Sequence, residues 1–419
     1  MTKPAENPEK NQKRPAWGKI CYVITMTVLV GMVLVCGWMY LQPHLPADLA
    51  LVPTESTAPA TEPTTVPSGV PPTEPAPTEP PVQTGTTDIR LNIHEGPVSL
   101  LSQSARDYLA AENVPDVTAF LSHYWDWDFR ADRGRPVELS YAIYSLPQGV
   151  EVKNAVLRLF VPDGSGTYTD YIPAKGSKKV SVYNLRTGTQ YHYSGIFTLT
   201  DGSKITLSGS FKTAAGPRLM HIDGLVNVRD LGGWTTVEGK TVNQGLLYRG
   251  SEMDGLVESD FKLTPQGLEQ MKALGIKTDL DLRHEGENVL GGKHILYNAI
   301  QYEYAFTDVG KDAVRRLFAD LADPANYPAY LHCTYGADRT GTMCYLLLGL
   351  LGVSDADLKR DYELTALYYG CVSPAQMDPF VAKIAALPGE NTRQRVEYFL
   401  ENAGVTRDQM DSIRQIFLG

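Results

Sequence analysis

Five cysteines in 419 residues are too few to staple a disulfide-rich scaffold, so the fold has to rest on hydrophobic cores. Basic residues are also in deficit: 38 Lys and Arg against 48 Asp and Glu leave a formal charge of −10, which excludes a nucleic-acid partner held by the net field. Charge of either sign is missing from residues 20–41, and no Lys or Arg occurs between Lys19 and Arg90. Residues 43–87 lack the apolar density a core needs, since 12 of these 45 residues are proline. What remains is ample. At 43% hydrophobic and 21% charged, the chain has the composition of a folded protein, and its length calls for two or three folded units.

The uncharged run 20–41 (ICYVITMTVLVGMVLVCGWMYL) predicts a transmembrane helix. At about 1.5 Å per residue it spans roughly 33 Å, which matches a bilayer core of about 30 Å. Trp38 and Tyr40 suit the interface at its far end. Five basic residues (Lys3, Lys10, Lys13, Arg14, Lys19) and two acidic ones (Glu6, Glu9) give the 1–19 tail a charge of +3, which predicts a cytoplasmic N-terminus and an extracytoplasmic remainder. A signal peptide is the weaker reading, because its apolar region is about 7–15 residues long and a small-x-small cleavage site is missing here. The 42–87 segment repeats Thr-Glu-Pro at 61–63, 73–75 and 78–80. It predicts a disordered, extended spacer of at most about 140 Å, which lifts the following units off the membrane. It resembles the Thr/Pro-rich stalks of surface proteins in Gram-positive bacteria. A proline-rich signalling ligand fits less well on that side of the membrane. Residues 42–88 carry −6 and residues 89–419 carry −7, so an anionic substrate has to be captured by a local site.

Residues 88–215 read as a β-sandwich. Short alternating segments at 137–144, 155–161, 179–183, 191–199 and 204–212 are separated by Pro162-Asp163-Gly164, Thr187-Gly188-Thr189 and Asp201-Gly202. The run from Asn184 and Leu185 through Thr189 to Tyr191-His192-Tyr193 is similar to a late-strand stretch of fibronectin type III domains. Residues 99–123 have helical spacing and are left as a lead-in to the sandwich. Trp125-Asp126-Trp127-Asp128-Phe129 suggests either a carbohydrate-binding platform or, more simply, core aromatics. The partner of the β domain is not identified by any motif.

Residues 216–419 change pattern. Apolar strands at 277–282 and 330–332 alternate with helical stretches at 264–274, 312–321, 341–351, 396–402 and 407–417, which predicts an α/β domain around a central, mostly parallel sheet. The chemistry concentrates in His332-Cys333-Thr334-Tyr335-Gly336-Ala337-Asp338-Arg339-Thr340-Gly341, where a strand ends, a Cys-x5-Arg loop follows and a helix begins. Backbone N–H groups from Thr334, Tyr335, Gly336, Ala337 and Asp338 to Arg339 can encircle an oxyanion, aided by the helix N-terminus. Arg339 offers a planar fork to two phosphate oxygens, and donors around Cys333 favour the nucleophilic thiolate. Thr340 is positioned to hydrogen-bond that sulfur when it becomes the leaving group. Cys344 and Cys371 read as buried structural thiols, and Cys21 and Cys36 fall in the membrane run.

This loop is the signature of cysteine-dependent phosphatases. The stretches 224–233 and 245–251, Leu274-Gly275-Ile276-Lys277 leading to Asp281-Leu282-Arg283, and the last helices resemble the bacterial tyrosine/serine phosphatase family with atypical, lipid-phosphatase-like loops. The resemblance implies Cys333 as nucleophile, Arg339 as phosphate ligand and Asp338 as the acid within the loop, with no metal and no cofactor. One departure bears on substrate: Ala337 stands where phosphoinositide-tolerant members carry lysine, and Tyr335 replaces a small residue. A second carboxylate, Asp308, expected in a loop after a strand, competes with Asp338 as general acid. Asp281 is more remote. Asn227, Arg229, Asp230 and Arg283 either line the pocket or buttress the loop. The leading expectation is a membrane-anchored protein-tyrosine or dual-specificity phosphatase, acting outside the cytoplasm on a phosphorylated protein or small phosphomonoester. An inositol-phosphate phosphatase, and a non-catalytic surface protein that binds phospho-ligands or serves adhesion, are the alternatives.

Overall fold

The computed structural model describes residues 85–111, 117, 120, 130–369 and 376–419. The tail, the uncharged run, all but the last three residues of the 42–87 spacer, the 125–129 aromatics and Cys371 lie outside these residues. Among the described residues, no helix is long and apolar enough to cross a membrane.

The N-terminal part comprises strands β1 (Asp88–Leu91), β2 (Val137–Ser145), β3 (Val152–Phe160), β4 (Tyr168–Tyr171), β5 (Lys179–Val182), β6 (Gln190–Leu199) and β7 (Lys204–Lys212). They form two antiparallel sheets, ordered β1-β2-β5 and β4-β3-β6-β7, whose inner faces share one core. Alternation drives this arrangement. Along β6 the residues Tyr191, Tyr193, Phe197 and Leu199 point inward and meet Val137, Leu139 and Leu157. The Tyr191 hydroxyl accepts the Arg186 N–H at 2.8 Å, a tyrosine corner of the kind that braces immunoglobulin-like sandwiches. The sequence pattern does not mark β1 and β4, because four residues are too few to show a period of two.

The described part of 99–123, expected as a lead-in to the sandwich, packs elsewhere. The chain leaves the sandwich at Leu100 and returns at Arg135, whose N–H donates to the Leu100 carbonyl at 2.7 Å. Between them helix α1 (Gln103–Ala110), capped by Ser102, buries Ala105 and Tyr108 beside Leu101, Val117 and Ala131 in the core of the C-terminal part. Two sandwich sheets already fill each other, so the apolar stripe of α1 finds its partner in the α/β layer instead.

That layer is a sheet of β8 (Arg218–Leu219), β9 (Arg229–Asp230), β10 (Leu247–Gly250), β11 (Thr278–Asp281), β12 (Lys293–Leu296) and β13 (Ala329–His332), in the order β12-β11-β13-β10-β9-β8. The first four strands in that order run parallel, β9 pairs antiparallel with β10, and β8 pairs antiparallel with β9. Helices α2 (Pro265–Ala273), α3 (Asp308–Leu321), α4 (Asp338–Leu351), α5 (Asp355–Glu363), α6 (Ala366–Tyr369), α7 (Asp378–Ala385), α8 (Thr392–Asn402) and α9 (Arg407–Leu418) accompany it. Thr264 caps α2 ahead of Pro265, and Thr406 with Gln409 forms a capping box on α9. Helix α4 is apolar nearly all round and is buried accordingly.

The sandwich and the α/β layer are joined by hydrogen bonds. The Asn184 side chain exchanges bonds of 2.9 and 2.7 Å with the His221 backbone. Arg218 Nε donates to the Leu185 carbonyl at 2.8 Å while its guanidinium pairs with Asp230 at 2.8 Å.

Candidate active site

Strand β13 lies between β10 and β11, pairing His332 with both Gly250 and Asp281. Three parallel strands therefore end at one edge, where open α/β sheets bind ligands, and the 333–339 loop leaves from its middle. Cys333 is 2% exposed.

The loop is held by its carbonyls. His332 Nδ1 lies 3.0 Å from the Cys333 carbonyl. The Glu252 N–H donates to Thr334 at 2.9 Å, and Asn227 Nδ2 donates to Tyr335 and Gly336 at 3.2 and 3.1 Å. Arg249 adds a bond of 2.8 Å to Gly336, and the Gly341 N–H takes Ala337 at 2.6 Å. The N–H and C=O of a trans peptide point opposite ways, so carbonyls pinned on the outside turn the N–H groups towards the interior of the loop. Gly336 has φ +66 and packs so closely on the Gly250 backbone that any Cβ would collide with it. No side chain caps the start of α4, which opens its first N–H groups to an anion.

Arg339 reaches back across the loop to Thr334 Oγ1 at 3.2 Å, a hydroxyl rather than a carboxylate. Thr340 is fully buried, and its hydroxyl has no hydrogen-bond partner among the described residues. Asp338 opens α4 and accepts a hydrogen bond from the Tyr302 hydroxyl, which also meets the Tyr362 hydroxyl at 2.7 Å. Burial, together with the Asp338 carboxylate, pushes the Tyr302 phenol far above its ordinary range, so it stays a donor. Asp308 is exposed. The expected loop around it is a 3-10 turn at Tyr302–Phe306 followed by α3, which Asp308 opens and Thr307 caps by accepting the Gly310 N–H at 3.2 Å.

Behind the loop lies a buried ionic buttress. Asp361 accepts from Arg229 Nε at 3.1 Å and from Arg249 at 2.6 Å, and Arg229 also donates to Asn227 Oδ1 at 2.5 Å. Asn227 and Arg229 thus sit behind the loop, whereas Asp230 faces the Arg218 pair and the 232–245 turn. Asp281 and Arg283 belong to a second cluster under the strand ends, where Arg283 holds Glu252, Asp254 and Asp281 at 2.5, 2.7 and 2.8 Å. At the mouth, Tyr335 packs edge-on against Phe261, Phe261 against Tyr368, and the Tyr335 hydroxyl donates to Glu258 at 3.1 Å.

Residues 220–419 match the tyrosine phosphatase family. A Cupriavidus necator protein named "Putative tyrosine-protein phosphatase" is 30% identical over 174 residues, covering 34% of this chain and 61% of that one. A Nostoc commune tyrosine-protein phosphatase is 27% identical over 136 residues, covering 26% of this chain and 46% of its own length. The chain therefore spans about half to three-fifths of these curated relatives. Among solved structures, the core catalytic domain of the PP-IP phosphatase SIW14 from S. cerevisiae shares 15% identity, with 38% of this chain and 84% of that chain covered and a TM-score of 0.24. The family match and the named relatives support a phosphatase hydrolase in this segment.

The site also draws on residues that sequence reasoning did not assign. Arg249 lies within a stretch that carries the family resemblance, yet nothing local tells its donor role. Asp361 and Tyr302 reach the site only through folding, from 28 residues after and 31 residues before Cys333 in the sequence. Cys344 is enclosed in the core, where burial pushes its thiol up to about 11.

Proposed function

We propose that the chain is a membrane-anchored phosphomonoesterase that works through a phosphocysteine at Cys333, with phosphotyrosine as its substrate class. The observation that carries this reading is the ring of outward-held carbonyls around Cys333, since it turns a loop of N–H donors onto the position a phosphoryl group occupies next to the sulfur. Arg339 leaves Thr334 for the phosphate oxygens. The Cys333 thiolate attacks phosphorus, the P–O ester bond breaks, and the leaving oxygen takes a proton from Asp338, which Tyr302 orients. Water then attacks the phosphocysteine, Asp338 accepts its proton, the S–P bond breaks with the electron pair returning to sulfur, and inorganic phosphate departs. The buried Thr340 hydroxyl supports the sulfur in that second step.

The phosphotyrosine preference rests on the mouth of the site. Aromatic rings (Tyr335, Phe261, Tyr368) and the Glu258 carboxylate line it, and Ala337 is apolar and buried, a set that suits a single phosphate on an aryl group better than a polyphosphate. The uncharged run 20–41 is read as the anchor, 42–87 as a spacer and the sandwich as a fibronectin type III-like module, with the catalytic part on the extracytoplasmic side of a bacterial membrane.

The decisive experiment is hydrolysis of 4-nitrophenyl phosphate by the full chain and by Cys333→Ser. The variant is expected to fold normally and to lose roughly a thousandfold or more in kcat. Full retained activity would sink the phosphocysteine reading. Vanadate, which fills the same loop, is expected to inhibit the parent chain in competition with substrate.

A further inference from the structure

The excursion from the sandwich comes to rest behind the loop. After α1 the chain returns through 130–135 along strand β8, where the Gly134 N–H donates to the Met220 carbonyl at 3.2 Å. Gly134 lies so flat on this edge that a Cβ would run into the Leu219 carbonyl, so the contact requires glycine. Asp132, only 3% exposed, accepts the backbone N–H of Asn227 at 2.9 Å. Arg130 grips the Asp132 carboxylate through both oxygens (2.9 and 3.1 Å), donates to the Leu225 carbonyl at 3.2 Å, and stacks 4.9 Å over the Tyr368 ring.

Asn227 is the residue whose side chain holds the Tyr335 and Gly336 carbonyls. Its φ is +56, a left-handed conformation that a non-glycine residue keeps only when its surroundings enforce it. Two groups enforce it. Arg229 fixes the side chain through Oδ1, and Asp132 fixes the backbone.

We infer that Asp132 is a positioning residue for the phosphate loop, supplied by the N-terminal part of the chain and acting through Asn227. The excursion between β1 and β2 then completes the catalytic part. This inference rests on the phosphocysteine reading given above. Without Asp132 the Asn227 N–H is left buried and unpaired, its backbone relaxes from φ +56, and the Tyr335 and Gly336 carbonyls lose the fixed donor that keeps their peptides outward. A sub-ångström shift of that kind weakens oxyanion binding and slows phosphoryl transfer, while the aromatic mouth that receives the leaving group is untouched.

The test uses the full chain, with Asp132→Ala and the isosteric Asp132→Asn, both normalised to folded protein by thermal denaturation. The control is Asp170→Asn, which breaks the surface Arg158–Asp170 pair elsewhere in the sandwich. Asp132→Ala is expected to lower kcat and vanadate affinity about tenfold or more, with KM for an aryl phosphate changing far less. Asp132→Asn keeps one acceptor oxygen and is expected to fall between Ala and the parent, and Asp170→Asn to match the parent. If Asp132→Ala does not fold, Asp132→Asn decides alone, with a fall of about threefold or more in both quantities expected. Parent values of kcat and vanadate affinity in the folded variants, with only a lower melting temperature, would overturn the positioning role and leave the phosphatase reading standing. A parent chain that hydrolyses nothing and ignores vanadate would overturn that reading itself.

Discussion

Asp338 and Asp308 are carboxylates at the same kind of position, the first residue of a helix, where negative charge offsets the helix dipole. Position on the helix therefore does not separate them, and their neighbours do. Asp338 belongs to the phosphate loop and is oriented by the Tyr302 hydroxyl, whereas Asp308 is exposed. Asp338→Asn is accordingly expected to lower kcat on phosphotyrosine about a hundredfold or more, and less on 4-nitrophenyl phosphate, whose leaving group needs little protonation. Asp308→Asn should behave as the parent, and the reverse ranking would transfer the role to Asp308. At this scale the sequence made the loop residues legible because they are contiguous. It could not choose between two aspartates, because the choice depends on Tyr302, which arrives from another element.

Strand ends decide the next level. Strands β11 and β13 deliver Asp279, Asp281 and His332 to one buried spot, with Asp279 2.9 Å from His332 Nε2. Burial opposes the imidazolium, but Asp279 and Asp281 outweigh it and raise the His332 pKa from 6.5 to about 9. Because the folded value lies above the unfolded one, this stabilisation is complete below pH 6.5 and is lost as pH rises through about 9. The denaturant midpoint is expected to decline across that window, and Asp279→Asn to flatten the decline. A parent midpoint that stays level from 6.5 to about 9 would contradict the linkage. Five of the sandwich strands and most of the C-terminal helices follow from alternation, helical spacing and caps. Strands β8 and β9 have two residues each and carry no period, and α1 has a legible stripe whose partner is a distant layer.

For the molecule as a whole, the +3 tail, the uncharged 20–41 run and the proline-rich 42–87 segment argue for an anchor and stalk with the enzyme outside. Protease added to intact cells is expected to release the phosphatase activity by cutting within 42–87, and protection until lysis would overturn that topology. The 333–339 loop and the alternation of the strands were determined by the sequence alone, since each is a local pattern of contiguous or periodic residues. Three matters were decided only by tertiary structure: which carboxylate meets Tyr302, that Arg249, Arg229 and Asp361 brace the loop, and that Asp132 reaches Asn227 from the other side of the sandwich junction. The physical reason is common to all three. Buried polar groups must find partners in space, and those partners lie up to 132 residues apart in sequence.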